Sequence, residues 1–155
     1  IFTVEGQAGL GSPLGVVGAA ASLAVLPWVD LAIGAGLAAD GPQVAGTLRV
    51  HQRKSGWRMF GAASVSQGDW IDGGINKTRH LFDGARWVSA ELGAENGQRG
   101  VFTRWGVGFT KLVSYDACHD EDYPGDPAAR VNPCRDPLQR SYLLPFLSIT
   151  LGYRY

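Results

Sequence analysis

Apolar residues alternate with small or polar ones at a period of two in segment after segment of this chain. At the C-terminal end Leu143, Pro145, Leu147, Ile149, Leu151, Tyr153 and Tyr155 share one phase; Leu144, Phe146, Ser148, Thr150, Gly152 and Arg154 take the other. Val101, Thr103, Trp105, Val107 and Phe109 alternate in the same way with Phe102, Arg104, Gly106, Gly108 and Thr110. So do Trp57, Met59, Gly61, Ala63 and Val65 with Arg58, Phe60, Ala62, Ser64 and Ser66. Successive side chains on a strand point to opposite faces, so this pattern specifies strands with one apolar face. The chain divides into eight such segments, at about residues 2–10, 15–26, 29–39, 44–54, 57–68, 81–95, 101–115 and 141–155. Tight turns at Pro27–Trp28, Ser55–Gly56 and Asn96–Gly100 alternate with Gly11–Leu14, Asp40–Gln43, Asp69–His80 and the long Asp116–Arg140.

A membrane helix is the competing reading of residues 14–38, where Asp30 is the sole charge. Pro27 breaks that run near its middle, and Gly15, Gly18, Gly34 and Gly36 weaken any helix through it. A hairpin turning at Pro27–Asp30 fits better. Across the chain 22 of 155 residues are glycine, a density that also disfavours helices. Lys+Arg and Asp+Glu balance at 14 each, and no basic cluster with interleaved aromatics points to nucleic acid.

Eight alternating strands also describe a soluble ligand-binding barrel, whose polar face meets water. Here the polar phases are mostly Gly, Ala, Ser and Thr, which is thin for a solvated exterior and suits a narrow interior. Trp28, Trp57, Tyr153 and Tyr155 fall at the tight-turn end, and Trp70, Phe82, Tyr115 and Tyr142 near the other, as two aromatic girdles would. The expectation is one domain, residues 1–155, all-β, forming an eight-stranded antiparallel up-and-down transmembrane β-barrel. The chain resembles the small outer-membrane protein A/X/W-type barrels. The segment Leu143–Tyr155 is similar to that family's C-terminal assembly signal, with Tyr155 where the family usually has phenylalanine. The resemblance implies a bacterial outer-membrane location and contact with outer-membrane lipids including lipopolysaccharide. It also implies insertion by the barrel assembly machinery and outer loops that offer a surface to a protein partner.

With the polar phases inside, the interior carries Glu5, Asp30, Asp83, Glu91 and Glu95 with Arg49, Arg53, Arg58, Arg104 and Arg154, and His51 beside them. Buried charges need partners, so an ion-pair network is expected. If Asn96 pairs with Val101, Arg104 lies diagonally between Glu91 and Glu95; Arg154 is expected near Glu5 across the closing strands. Phe60, Trp87, Phe102 and Phe146 also point inward, and eight strands enclose a space that side chains fill. A plugged structural or surface-interaction barrel is the leading reading, a narrow passage for small or apolar molecules the second. The third is a lipid A-modifying enzyme, for which His80 with Asp83 is the one pair to nominate. No catalytic triad, metal cluster or cofactor motif stands out, so no catalytic residue, metal or cofactor is assigned. The acidic loop residues Asp116, Asp120, Glu121, Asp122 and Asp126 lack the spacing of a calcium loop.

Arg86 and Lys111 break the pattern by falling on the apolar phase. In the same register they lie side by side, about 30 Å above the turn at ~3.3 Å per residue and ~40° tilt, above a ~25 Å apolar band. That height suits contact with lipid phosphate. Cys118 and Cys134 share one polar segment and are expected to form a disulfide. It would close a loop of about 16 residues (134 − 118), worth roughly 3 kcal/mol in the chain-entropy account. Thiol titration of unreduced, unfolded protein should find no free cysteine; two free thiols refute the bridge.

Overall fold

The computed structural model describes residues 1–38, 41–52, 57–72, 79–97, 99–121 and 143–155. Among them there is no helix. The strands are β1 (Phe2–Ser12), β2 (Gly15–Leu26), β3 (Val29–Ala38), β4 (Gly41–His51), β5 (Arg58–Asp72), β6 (Arg79–Asn96), β7 (Gly100–Ser114), the short β8 (Ala117–Glu121) and β9 (Leu143–Arg154). All pairings are antiparallel. They run β5-β4-β3-β2-β1-β9-β7-β6, and a β5–β6 pairing closes the ring. Eight strands therefore form an up-and-down barrel, with β8 lying beside the far end of β6. Both termini, the Pro27–Trp28 turn and the β6–β7 connection lie at one end, here the turn end; the opposite end is the loop end.

All eight expected segments are strands, and β5 and β6 run longer than alternation suggested, pairing as far as Asp72↔His80. β8 was not expected. Register departs from the simple hairpin between β6 and β7. Asn96 pairs with Thr103, not Val101. Gly97 and Gly100 both hold positive φ, at 110° and 76°, which lets the chain take a wider turn. The two-residue shift sets Arg104 directly opposite Glu95, and Lys111 opposite Val88 instead of Arg86. A second irregularity sits at Gly84, with φ of 62°. Pairing shifts there between Gly68 and Trp70, as at a bulge. Phe82, expected in the outer girdle, is consequently turned inward and only 2% exposed. It packs with Ala85, Trp87 and Leu112, and lies edge-on to Tyr115 at 5.3 Å.

The polarity of the barrel is inverted relative to a water-soluble protein. Ile33, Leu92, Val101, Val65 and Leu151 stand on the outer face, exposed, while Arg104, Glu95 and Ser148 are buried inside. The interior is layered. Charged side chains occupy the turn end. Hydroxyls follow, with Thr47 bonded to Ser64 at 2.9 Å, Ser89 to Thr110 at 2.9 Å and Gln43 to Ser66 at 3.1 Å. Apolar groups fill the loop end.

Large inward side chains lie over glycines of adjacent strands. The ring of Phe60 covers Gly93, Phe146 covers Gly108, Phe102 covers Gly152, and the Glu91 carboxylate covers Gly106. Leu14, in the β1–β2 turn, folds into the lumen and is 5% exposed. Its backbone and side chain rest on Gly18, Gly34 and Gly36. Close packing of this kind leaves no space for even one methyl group. Gly36→Ala places a Cβ against the Leu14 carbonyl oxygen. It should lower stability by roughly 1–3 kcal/mol in urea titrations of the folded protein in detergent. Gly46→Ala is the control, since its Cβ meets nothing closer than Val65 Cγ2 at 3.9 Å; it should stay within about 0.5 kcal/mol.

Candidate functional site

The turn-end layer holds most of the charged residues singled out above. Its centre is Arg104 on β7, 2% exposed. Its Nε and Nη2 donate to Glu95 Oε2 at 3.0 and 2.6 Å, and its Nη1 donates to Glu5 Oε2 at 2.9 Å. Glu95 is fully buried and also accepts from Arg154 Nη2 at 2.7 Å and Arg58 Nε at 2.9 Å. Glu5 accepts a second bond from Arg49 Nη2 at 3.1 Å. Arg49, Glu5, Arg104, Glu95, Arg58 and Arg154 thus form one connected network drawn from β4, β1, β7, β6, β5 and β9.

The aromatics interleave with the guanidinium groups. Arg104 lies 5.4 Å from the Phe60 ring centroid and 5.1 Å from that of Phe102. Arg154 lies 4.9 Å from Phe102, and Arg49 lies 5.9 Å from Phe60. All four are within the range in which a cation is attracted to a ring face. The stack Arg49–Phe60–Arg104–Phe102–Arg154 crosses the lumen. It combines charge pairing with the apolar bulk that fills the cross-section.

Two further acids complete the balance. Asp30 Oδ2 lies 2.7 Å from His51 Nε2. Glu91 accepts from the Ser148 hydroxyl. Glu5, Asp30, Glu91 and Glu95 therefore match Arg49, Arg58, Arg104 and Arg154 one for one among the described inward residues. Nε and Nη1 of Arg49 and Nδ1 of His51 are buried without a protein hydrogen-bond partner among the described residues. Water ordinarily meets such groups.

Of the expected contacts, Arg104 does reach one of the two β6 glutamates, while Arg154 finds other partners. Arg154 does not reach for Glu5. It pairs in register with Thr3, two positions below Glu5, whose own partner on β9 is Gly152. Arg154 instead binds Glu95 and the Gly97 carbonyl at 3.2 Å. Arg104 faces Glu95 alone of the two β6 glutamates, because of the wider β6–β7 turn. Asp83 lies beyond the Gly84 bulge, half-buried, with its carbonyl accepting the Asp116 amide at 2.9 Å. Arg53 and Cys134 lie outside the described residues, as do the side chains of His80 and Cys118. The Phe–Arg stack was not anticipated, although inward alternation of Phe60 and Phe102 with Arg58 and Arg104 carried the signal.

Arg86 and Lys111 both point outward and are exposed. Arg86 pairs with Ser114 and is salt-bridged through Nη2 to Asp116 Oδ1 at 2.9 Å. Lys111 lies between Val88 on β6 and Leu143 on β9. No protein-family model, curated protein or solved structure matches the chain. The reading of its role therefore rests on geometry.

Glu95→Ala leaves the guanidinium groups of Arg58, Arg104 and Arg154 without their shared acceptor. It should cost roughly 3–5 kcal/mol, or abolish folding. Arg86→Ala breaks an exposed pair and should cost no more than about 1 kcal/mol. Urea denaturation midpoints in one detergent distinguish these outcomes; equal midpoints would show the buried network to be dispensable.

Proposed function

We propose that this chain is an integral barrel of the bacterial outer membrane. Its role is structural or surface-interacting, without catalysis, and its interior is sealed by side chains. The observation that carries the membrane reading is the inverted polarity. Large apolar side chains stand exposed on the outer face of every barrel strand and surround a cluster of buried charges. Water-soluble monomers rarely expose an apolar patch beyond a few hundred Å². Lipid supplies the matching environment, and a closed barrel leaves no strand edge unpaired within it.

The dimensions agree. Outward apolar residues on β7 run from Val101 to Phe109, with Lys111 just beyond them. At ~3.3 Å per residue and ~40° tilt, that is roughly 20 Å, within the ~25 Å band of outer-membrane barrels. At the turn end Phe2, Trp28, Trp57, Tyr153 and Tyr155 are all exposed, with Tyr153 and Tyr155 in contact at 4.9 Å. Aromatics at this level suit the interface between hydrocarbon and headgroups. In this setting the barrel assembly machinery inserts the chain. Its lipid neighbours include lipopolysaccharide, and the loop end is available to a protein partner.

The sealed interior is supported by the Arg–Phe stack and by Leu14, which enters the lumen from the loop end. A narrow passage is the second reading, favoured by the buried nitrogens of Arg49 and His51 that have no protein partner among the described residues and would be met by water. The purified protein should need detergent, show a β-type circular dichroism spectrum, and migrate as a compact form in SDS until boiled. In planar bilayers it should produce no stepwise conductance. Solubility without detergent would overturn the membrane reading, and stable single-channel steps would replace the seal with the passage.

A further inference from the structure

Side chains fill the lumen at its turn end and middle, but not at its loop end. The floor of the open part is the hydroxyl layer, where Gln43 is bonded to Ser66 at 3.1 Å and Ser89 to Thr110 at 2.9 Å. Below it lies the Arg–Phe stack. Above it a cavity of about 270 Å³ takes its lining from all eight barrel strands, so it is the mouth of the barrel. Val16 reports the opening: it shares the inward phase of β2 with Gly18 and Ala20, yet is 45% exposed. Trp87 and Leu144 add larger apolar surface to the lining.

A backbone irregularity delivers one carboxylate to this mouth. Pairing of β5 with β6 steps from Gly68↔Ala85 to Trp70↔Phe82, so Asp69 has no partner in that ladder. Asp69 Oδ1 accepts the Gly84 amide at 3.1 Å. Its Oδ2 lies toward β4, 4.0 Å from where a Cβ on Gly41 would stand. Among the described residues no cation is within salt-bridge distance of Asp69. Arg86 and Lys111 point outward, away from the lumen.

The remaining polar groups of the lining are spent on one another or offer acceptors. Gln43 uses Nε2 on Ser66 and keeps its amide oxygen. Thr110 accepts from Ser89 and donates to the Val88 carbonyl at 3.4 Å. A mostly apolar concavity with a few convergent polar groups is the usual form of a small-molecule site. Here the charge is negative and the aromatic is an indole, the ring that attracts cations most strongly. An anion would meet Asp69 with no counter-charge beside it.

We propose that the loop-end mouth binds a small organic ammonium ion, its apolar body against Trp87 and Leu144 and its ammonium group on Asp69. Size narrows the class. A cavity of about 150 Å³ accepts benzene, so one of about 270 Å³ holds a single ring with a short amine arm. The floor is closed, so the ligand is held and not passed. The site rests on the membrane reading only in that the mouth then faces the outside of the cell. Binding is measured in detergent, where its failure leaves that reading untouched.

Calorimetric titration of the full-length protein in a zwitterionic detergent tests this with three probes of similar shape: 2-phenylethylammonium, 2-phenylethanol and phenylacetate. The cation should bind roughly fivefold more tightly than the neutral alcohol, the scale of one partly exposed ion pair. The anion should bind more weakly than either. Asp69→Asn keeps an oxygen for the Gly84 amide and should remove the preference for the cation. Val16→Phe adds bulk at an exposed position of the lining and should abolish saturable binding of cation and alcohol alike. Both variants should keep the wild-type circular dichroism spectrum; if Val16→Phe does not, Asp69→Asn alone decides. Uptake that is equal in all three proteins and in empty micelles is partition into detergent and overturns the site. Saturable binding that ignores Asp69→Asn, or that favours phenylacetate, overturns the ammonium assignment. Absence of cation binding at millimolar concentration overturns the proposal outright.

Discussion

The arrangement of the interior depends on how Arg104 is held. A guanidinium group removed from water costs several kcal/mol unless its donors and its charge are met. Here two carboxylates bracket it, and two phenylalanine rings lie above and below within cation–π distance. Those four neighbours come from β6, β1, β5 and its own strand, so satisfying one side chain fixes the relative placement of most of the circumference. The same packing explains why the lumen is neither oily nor open. An all-apolar filling would carry no preference for register, whereas each arginine here finds its acceptor in one alignment. Buried polar groups can specify arrangement in this way even where they add little net stability.

The architecture was legible because alternation at period two is a strong signal when it recurs in every segment. Inward and outward residues were distinguishable because one phase is consistently small or polar. What alternation cannot carry is the exact step between neighbouring strands. The positive-φ glycines at 97 and 100 widened one turn by two residues, and that displacement changed the partners of both Arg104 and Lys111. Likewise the Gly84 bulge carried Phe82 from the outer phase into the core. In both places a residue that tolerates unusual backbone angles broke the count on which pattern reading relies. Such departures are invisible to hydropathy, because glycine has no side chain to report which way it faces.

Glycine has a second use in this barrel, unrelated to backbone angles. Where Phe60, Phe102, Phe146, Glu91 and Leu14 occupy the lumen, the adjoining strand presents a bare Cα. Shape complementarity is thus written in pairs of positions distant in sequence, one bulky and one empty. Individually these glycines look like weak points in a strand. Collectively they let a narrow ring enclose large side chains while keeping its hydrogen-bonded wall continuous over most of its height.

Glu5 and Arg104 illustrate what closure means for a growing or inserting chain. They are 99 positions apart and sit on strands that meet only through β9. In an open sheet with β1 at one edge they are far from each other, and Arg104 has only Glu95, its partner across the β6–β7 hairpin. Completion of the ring brings them within hydrogen-bonding distance in a single event. The gain from pairing therefore arrives late and all at once, so partly closed sheets receive little of it. Long-range contacts of this sort slow a folding reaction but sharpen it. An assembly pathway that ends in this pair has a built-in criterion of completeness: the barrel becomes electrically quiet inside only when its last strand is in place.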